Sequence, residues 1–320
     1  MMLRYVLRRL VYLAAILALL TVLIFGITQA LPGNVARMIL GSYNAPETLR
    51  ALEEKLGLND PLPVQYWRWV KRFVRGDLGE SLVMDRAIAP VVAEAFRNSL
   101  ALAVLSIVSV AVIGIGLGII GALRHRSALD YLTSIAAFAG ISLPEFFWGI
   151  VLIVLFAGYF EILPAAGIGE AGDDWVTWAK HLVLPVATMT LALVAHVSRQ
   201  TRSNMLDVLQ SNYVRAARAK GLPERLVIRK HALRNAMLPT ITVLALDVGF
   251  LIGDFTVVET VFAYPGFGRL TVFAIQQRDL PLIQACALLL AAAYCLATVA
   301  ADLLYAYFNP RIRYGGRSEA

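Results

Sequence analysis

The sequence predicts an all-α protein that crosses a membrane six times. Of its 320 residues, 59% are hydrophobic and 16% charged, with a mean hydropathy of +0.68; a soluble chain of this size carries about a quarter charged residues. Six apolar runs, at 10–30, 99–123, 131–160, 182–197, 237–258 and 283–308, are of the order of the roughly 20 residues that cross a bilayer as a helix. Apart from the long segment 31–97, which holds nine and is of a length that crosses largely regardless of charge, the cations concentrate in alternate connections between those runs. The formal net charge of +7 would suggest nucleic acid only on a soluble domain.

The first run follows Arg4, Arg8 and Arg9. It exceeds the 7–15-residue core typical of a secretory signal, so a retained anchor is expected. Next comes an external segment, 31–97, with two short helices expected. One runs over 46–56 and stops at Gly57. The second starts near Pro63 and carries Tyr66, Trp67, Trp69, Val70 and Phe73, as an interfacial helix or as a small platform over a pore. Pro144 is expected to kink the third span by removing a backbone hydrogen bond. The fourth is short and has Pro185 near its start. The sixth holds Cys286 and Cys295, which face opposite ways on one helix at about 100° per residue. A mutual disulfide or a metal site there is not expected.

Lys/Arg bias places the N-terminus inside. Inside segments then hold Arg4, Arg8, Arg9, Arg124, Arg126, the cluster from Arg199 to Arg234, and Arg311, Arg313 and Arg317. Glu161, Glu170, Asp173, Asp174 and Asp279 fall outside. The expected organisation is a cytoplasmic N-terminus and first span (1–30), an extracytoplasmic segment (31–97), a five-helix core (98–310) with a cytoplasmic loop at 198–236, and a cytoplasmic tail (311–320).

That loop contains YVRAARAKGLPERLVIRKHALRNAMLP, with seven cations and Glu224 as its one acid. MLDVLQSNYVRAARAK is expected as a helix stopped by Gly221. Pro223 suits the first position of a second helix, with Glu224 near its positive end. The two would make a bent finger. Tyr213, Ala216, Ala217 and Lys220 share one side by three-and-four spacing, and small alanines there admit another backbone.

At these residues the chain resembles the permeases of ABC importers, whose inner loop reads Glu-Ala-Ala, three residues, then Gly. Arg215 stands in place of the Glu, while Ala216, Ala217 and Gly221 match. Fourteen residues then precede Ala236-Met237-Leu238-Pro239, a longer form that resembles the dipeptide, oligopeptide and nickel branch. Also similar are LRRL (7–10), LPG (31–33), LGLNDPLPVQY (56–66), GDLGESL (76–82), Ser142, Pro144, Phe146, Trp148 and Gly149, ETVFAYPGFGR (259–269) and DLLYAYFNPRIR (302–313). The resemblance covers essentially the whole chain and is nearest to the first of that system's two permeases. Asn34 departs from the branch's Asp, and Asp247 and Asp254 from residues usually neutral. The last two bear on the substrate rather than the class.

The resemblance implies a type I importer permease fold and import of di- or oligopeptides by alternating access, with nickel chelates or glutathione as alternatives. It implies a related second permease, two cytoplasmic ATPase domains, an extracytoplasmic binding protein and the inner membrane of a prokaryote. Tyr213, Arg215, Ala216, Ala217, Lys220, Gly221 and Pro239 would form the ATPase-coupling loop. No GxxxxGK[ST] motif is present, so this chain is expected to bind no cofactor and to leave ATP and magnesium to the partner ATPase. Nucleic acid is not an expected partner, although lipid binding alone would also use such cations.

Asp247 and Asp254, seven residues apart, share one face of the fifth span. Acids at that depth are neutralised by a partner chain or line the path and attract a cationic group. Pro144 and Glu259 complete the candidate path; Glu145 and Asp302 are lesser candidates. His125, His181, His196 and His231 are read as lying at span ends or in loops and form no HExxH pattern. A channel and an intramembrane protease are the rival classes. Two acids on one helix are poorly placed to share a proton.

Overall fold

The computed structural model describes residues 2–30, 54, 59–169 and 174–308. The expected helix at 46–56, the tail at 311–320 and Asn34 lie outside them. The fold is helical: α1 (Met2–Ala30), α2 (Leu62–Val74), α3 (Ile88–Leu123), α4 (Ala128–Ser142), α5 (Glu145–Leu152) with a π-helical turn at Ile153–Tyr159, α6 (Trp175–Leu209), α7 (Asn212–Ala219), α8 (Glu224–Leu226), α9 (Arg234–Val261), α10 (Phe267–Gln276) and α11 (Leu280–Phe308). A two-stranded antiparallel hairpin, β1 (Glu80–Ser81) and β2 (Arg86–Ala87), precedes α3.

All six expected crossings coincide with helices. Four, at Leu7–Ala30, Ile88–Leu123, Trp175–Leu209 and Leu280–Ala300, are long and apolar enough to span a membrane, and the bent pair Ala128–Ser142 and Glu145–Tyr159 supplies a fifth. The remaining crossing, α9, has 28 residues, about 42 Å at 1.5 Å per residue. Three boundaries differ from expectation. Pro144 does not kink a continuous helix; α4 and α5 meet at 105°. Leu143, the residue before it, is extended at φ −117° and ψ 142°, as a following proline demands, and Pro144 caps the new helix. Trp148 Nε1 donates to the Gly140 carbonyl at 3.1 Å and holds the bend. The fourth helix is far longer than 182–197: Asp174 caps it by accepting from the Thr177 amide at 3.0 Å, and it runs unbroken through Pro185 to Leu209. The second helix starts at Ile88 rather than near 99.

The described chain divides into two compact units. One comprises the described residues of 99–265 with 297–308 and Met2. Its organiser is α6. Gly118 of α3 and Gly140 of α4 lie against it so closely that an added Cβ would stand 2.5 Å from Thr201 Cβ and 2.4 Å from the Leu191 carbonyl oxygen, respectively. Small residues let helices meet by dispersion where lipid removes the hydrophobic drive. Against α9 the contact is polar: Thr201 and Asn204 both reach the buried Thr240 hydroxyl at 3.4 Å. Leu102, Leu184, Met189, Phe255, Val258, Phe262 and Tyr264 fill the apolar core beside this contact.

The other unit comprises 3–98 and 266–296. Phe25 of α1 stacks with Tyr66 and Trp69 of α2, at centroid distances of 5.5 and 5.9 Å. Thr21 and Tyr66 share a 2.8 Å hydroxyl bond. Trp67, by contrast, points outward and is exposed. The hairpin is clasped to the start of α11 by Asp279, a fully buried acid. It accepts from the Ser81 hydroxyl, the Val83 amide and the Leu282 amide. Cys286 is buried in this unit's core with Ile88, Phe267 and Leu282.

Gly118→Ala should lower the melting temperature of the detergent-solubilised protein, by the equivalent of about 1–3 kcal/mol for overpacking. Gly116→Ala, whose Cβ would meet nothing within 4 Å, should leave it unchanged. Equal melting of the two variants would refute the close α3–α6 contact.

Candidate functional site

The basic stretch folds as the bent finger that its pattern predicts, with three differences. The helix expected across 205–220 is broken at Gln210–Ser211, so α7 is a separate helix of eight residues. Pro223 caps the second helix instead of opening it, with φ −62° and ψ 138°. That second helix does not end: α8 continues through a π-helical turn at Val227–Leu233 directly into α9.

Gly221 adopts φ +77°. The Leu222 amide donates to the Ala217 carbonyl at 3.4 Å and the Gly221 amide to the Arg218 carbonyl at 2.9 Å. These paired bonds with an αL residue form a Schellman stop, and Leu222 packs back on Ala217 as that motif favours. Val214, Ala217 and Val227 make a small buried core between the finger's helices. Ala217 is therefore not on the outer face: it is buried, because Val214 and Ala217 form the apolar side of α7. Tyr213, Arg215, Ala216 and Lys220 are exposed. Tyr213 is 44% exposed and accepts from the Asn235 amide at 2.9 Å. Pro239 lies within α9, exposed on its surface.

Across the Gly221 bend, Arg218 grips Glu224 with two bonds, at 3.1 and 2.7 Å. Hydrogen bonding from Arg218 holds the Glu224 carboxyl below the usual carboxylate range. A lowered folded value means that the contribution is present above the unfolded value and lost as pH falls through the folded one. The tie is therefore intact at neutral pH and released only on acidification.

The candidate path residues are placed individually. Asp247 is buried, its Oδ1 3.0 Å from His196 Nδ1 on α6. His196 is the intrachain partner of the acid, a pairing hidden by 51 residues of separation. Asp254 is helical, and its side chain is outside the described residues, as is that of Asp302. Glu259 is fully buried and accepts from the Ser99 hydroxyl. Pro144 is exposed at the α4–α5 bend, and Glu145 is half-buried in the first turn of α5. A further pair escaped the sequence reading: Asp130, buried at the start of α4, receives Arg202 of α6 through two bonds of 2.6 and 2.7 Å. The Arg126 amide also donates to Asp130, at 2.9 Å. Beside this pair lies a cleft of about 190 Å³ walled by Gly118, Ser134, Phe138, Ser198 and Arg199.

Helices of membrane length, together with a basic finger continuous with α9, define a multi-pass membrane protein. The chain belongs to the family of binding-protein-dependent transport system inner membrane components: residues 114–314 match that family and residues 2–111 match its N-terminal region. It is 40% identical over 313 residues to the glutathione transport system permease protein GsiC of Escherichia coli, covering 98% of this chain and all of that one. The protein of the same name from Salmonella paratyphi A is 39% identical over the same length. Among solved structures, the inward-facing MetNI methionine ABC transporter is similar with a TM-score of 0.57 at 15% identity, covering 68% of this chain and 96% of that one. That likeness shows a shared type I permease fold. The chain is a permease of an ABC importer.

No Cβ at Gly221 would meet an atom within 4 Å, so a side chain there is opposed by backbone strain alone, about 1–2 kcal/mol. Gly221→Val should accelerate hydrogen exchange across residues 212–222, and Gly221→Asn, which tolerates αL, should not. Identical exchange in the two variants would contradict the Schellman stop.

Proposed function

We propose that this chain is one half of the pore of an ATP-driven importer of short peptides, with glutathione, a γ-linked tripeptide, as the substrate to examine first. The observation that carries the substrate class is the 40% identity, along the full length, to permeases named for glutathione transport. A second homologous permease, two ATPase domains and an extracytoplasmic binding protein complete the assembly. This chain binds no cofactor, and ATP and magnesium belong to the ATPases. Both termini and the finger lie on the cytoplasmic side, as the Lys/Arg bias argues.

In this reading the finger is the docking element. Its exposed Tyr213, Arg215, Ala216 and Lys220 face the ATPase, while Val214, Ala217 and Val227 keep the two helices together. Gly221 sets the angle, and fusion to α9 carries displacement into the membrane. Asp247, Asp254, Glu259 and Pro144 belong to the path side of the same unit. Glu259 is enclosed by protein and acts there by fixing Ser99.

Tagged protein purified from native membranes should retain an ATPase in stoichiometric yield, and loss of this chain should abolish uptake of labelled glutathione. Ala216→Glu should leave the finger folded, because residue 216 is exposed. It should release the ATPase or uncouple hydrolysis from uptake. Ala217→Glu should instead unfold the finger by forcing a charge into its core. Full ATPase retention and uptake in the Ala216→Glu variant would remove the finger as the docking element.

A further inference from the structure

One face of α6 is unlike the rest of the helix. His196, Arg199, Ser203, Asp207 and Gln210 recur at spacings of three and four, and all are partly or fully exposed; the His196 side chain is 45% exposed. The opposite face, with Val194, Ala195, Val197, Ser198, Thr201 and Met205, is buried. The accessible polar face begins at His196: one to two turns farther from the finger, Thr188, Met189 and Thr190 are buried. Hydrocarbon does not readily accept a stripe that pairs an imidazole with a carboxyl group and adds an arginine. Such a stripe faces water or protein.

Asp247 gives the stripe its chemistry. Its carboxylate is buried behind His196, with Oδ1 on Nδ1 and Oδ2 without a hydrogen-bond partner among the described residues. A carboxylate at Nδ1 holds the proton there, fixes the ring and leaves the Nε2 lone pair as an acceptor. An Nε2 acceptor backed by an acid in this way suits an ammonium group. Arg199 follows three residues later, at a helical spacing that puts Cβ atoms about 5–6 Å apart, and its guanidinium suits a carboxylate.

We infer that His196, backed by Asp247, and Arg199 together receive an α-amino-acid group, the ammonium on the first and the carboxylate on the second. This rests on the peptide-importer reading above and sharpens it. A γ-glutamyl peptide keeps ammonium and carboxylate on one carbon, because its chain continues from the side-chain carboxyl. An α-linked peptide has converted that carboxylate into an amide. The site therefore selects γ-glutamyl peptides over α-linked isomers during translocation, independently of selection by the binding protein. Asp247 is the positioning residue, and His196 and Arg199 make the contacts.

The test uses the assembled transporter in proteoliposomes with saturating loaded binding protein, comparing S-methylglutathione with its α-linked isomer. Arg199→Gln should lower maximal uptake of the γ-linked peptide about ten-fold, the order of one charge-assisted hydrogen bond. The α-linked isomer should change less than about two-fold, since it lacks the adjacent carboxylate. His196→Gln and Asp247→Asn should slow both, because both peptides carry the ammonium. In a Cys295→Ser background, His196→Cys and Arg199→Cys should react with a small charged thiol reagent, and γ-linked peptide should protect them. Equal losses for the two peptides in Arg199→Gln, or no loss, overturn this inference alone. Unreactive cysteines do the same, by placing the stripe against lipid or a partner chain. A wild-type complex that carries neither peptide overturns the substrate reading and this inference with it.

Discussion

The helical unit depends on how closely other backbones can approach α6. Between helices in lipid there is no water to expel, so association rests on contact area and on polar bonds that would otherwise be unmade. Gly118 and Gly140 supply the first and Thr201, Asn204 and Thr240 the second. Asp130 and Arg202 add a two-bond ion pair near the finger end of the same helix. One helix thus holds α3, α4 and α9 in register and passes that register on to the finger, which starts after two intervening residues.

The order of the apolar helices and the bent finger were legible in the sequence because each rests on local chemistry: apolar length, and a glycine stop followed by a proline. Boundaries were less legible. An apolar run marks where lipid begins, not where hydrogen bonding ends, so α3 and α6 extend well past the runs that announced them. Pro144 read as a kink since the run continues across it; Leu143 shows that the pre-proline restriction ends the helix outright. Ala217 was assigned to the docking face because three-and-four spacing groups residues without saying which side is inward. The short apolar set Val214, Leu222 and Val227 was the available signal, and it lies across the bend.

The polar pairs were invisible for a different reason. Ser81 and Asp279 are 198 residues apart, Ser99 and Glu259 160, Asp130 and Arg202 72, and His196 and Asp247 51. No periodicity links such positions. Asp247 nevertheless stood out singly, since a carboxylate removed from water needs a bonded partner, whereas Asp130 did not. Sequence reasoning took Asp247 and Glu259 as candidate path residues but had no means of choosing their partners. The structure supplies those partners within the same chain, so these acids help to specify the fold.

The π-helical turn at Val227–Leu233 has a consequence for how this chain can change over time. Such a turn holds one residue more than an α-helical one. Losing that residue would close it to an α-helical turn and leave α9 in phase with α6, with Asp247 still at His196 and Thr240 at Thr201. A single-residue deletion in the α-helical stretch between this turn and Asp247 would instead rotate everything between the deletion and the turn, or everything beyond it, by about 100°. The pre-proline break at Leu143 imposes no such phase, because the helix beyond it starts afresh. Both places can change in length without disturbing the helix that follows.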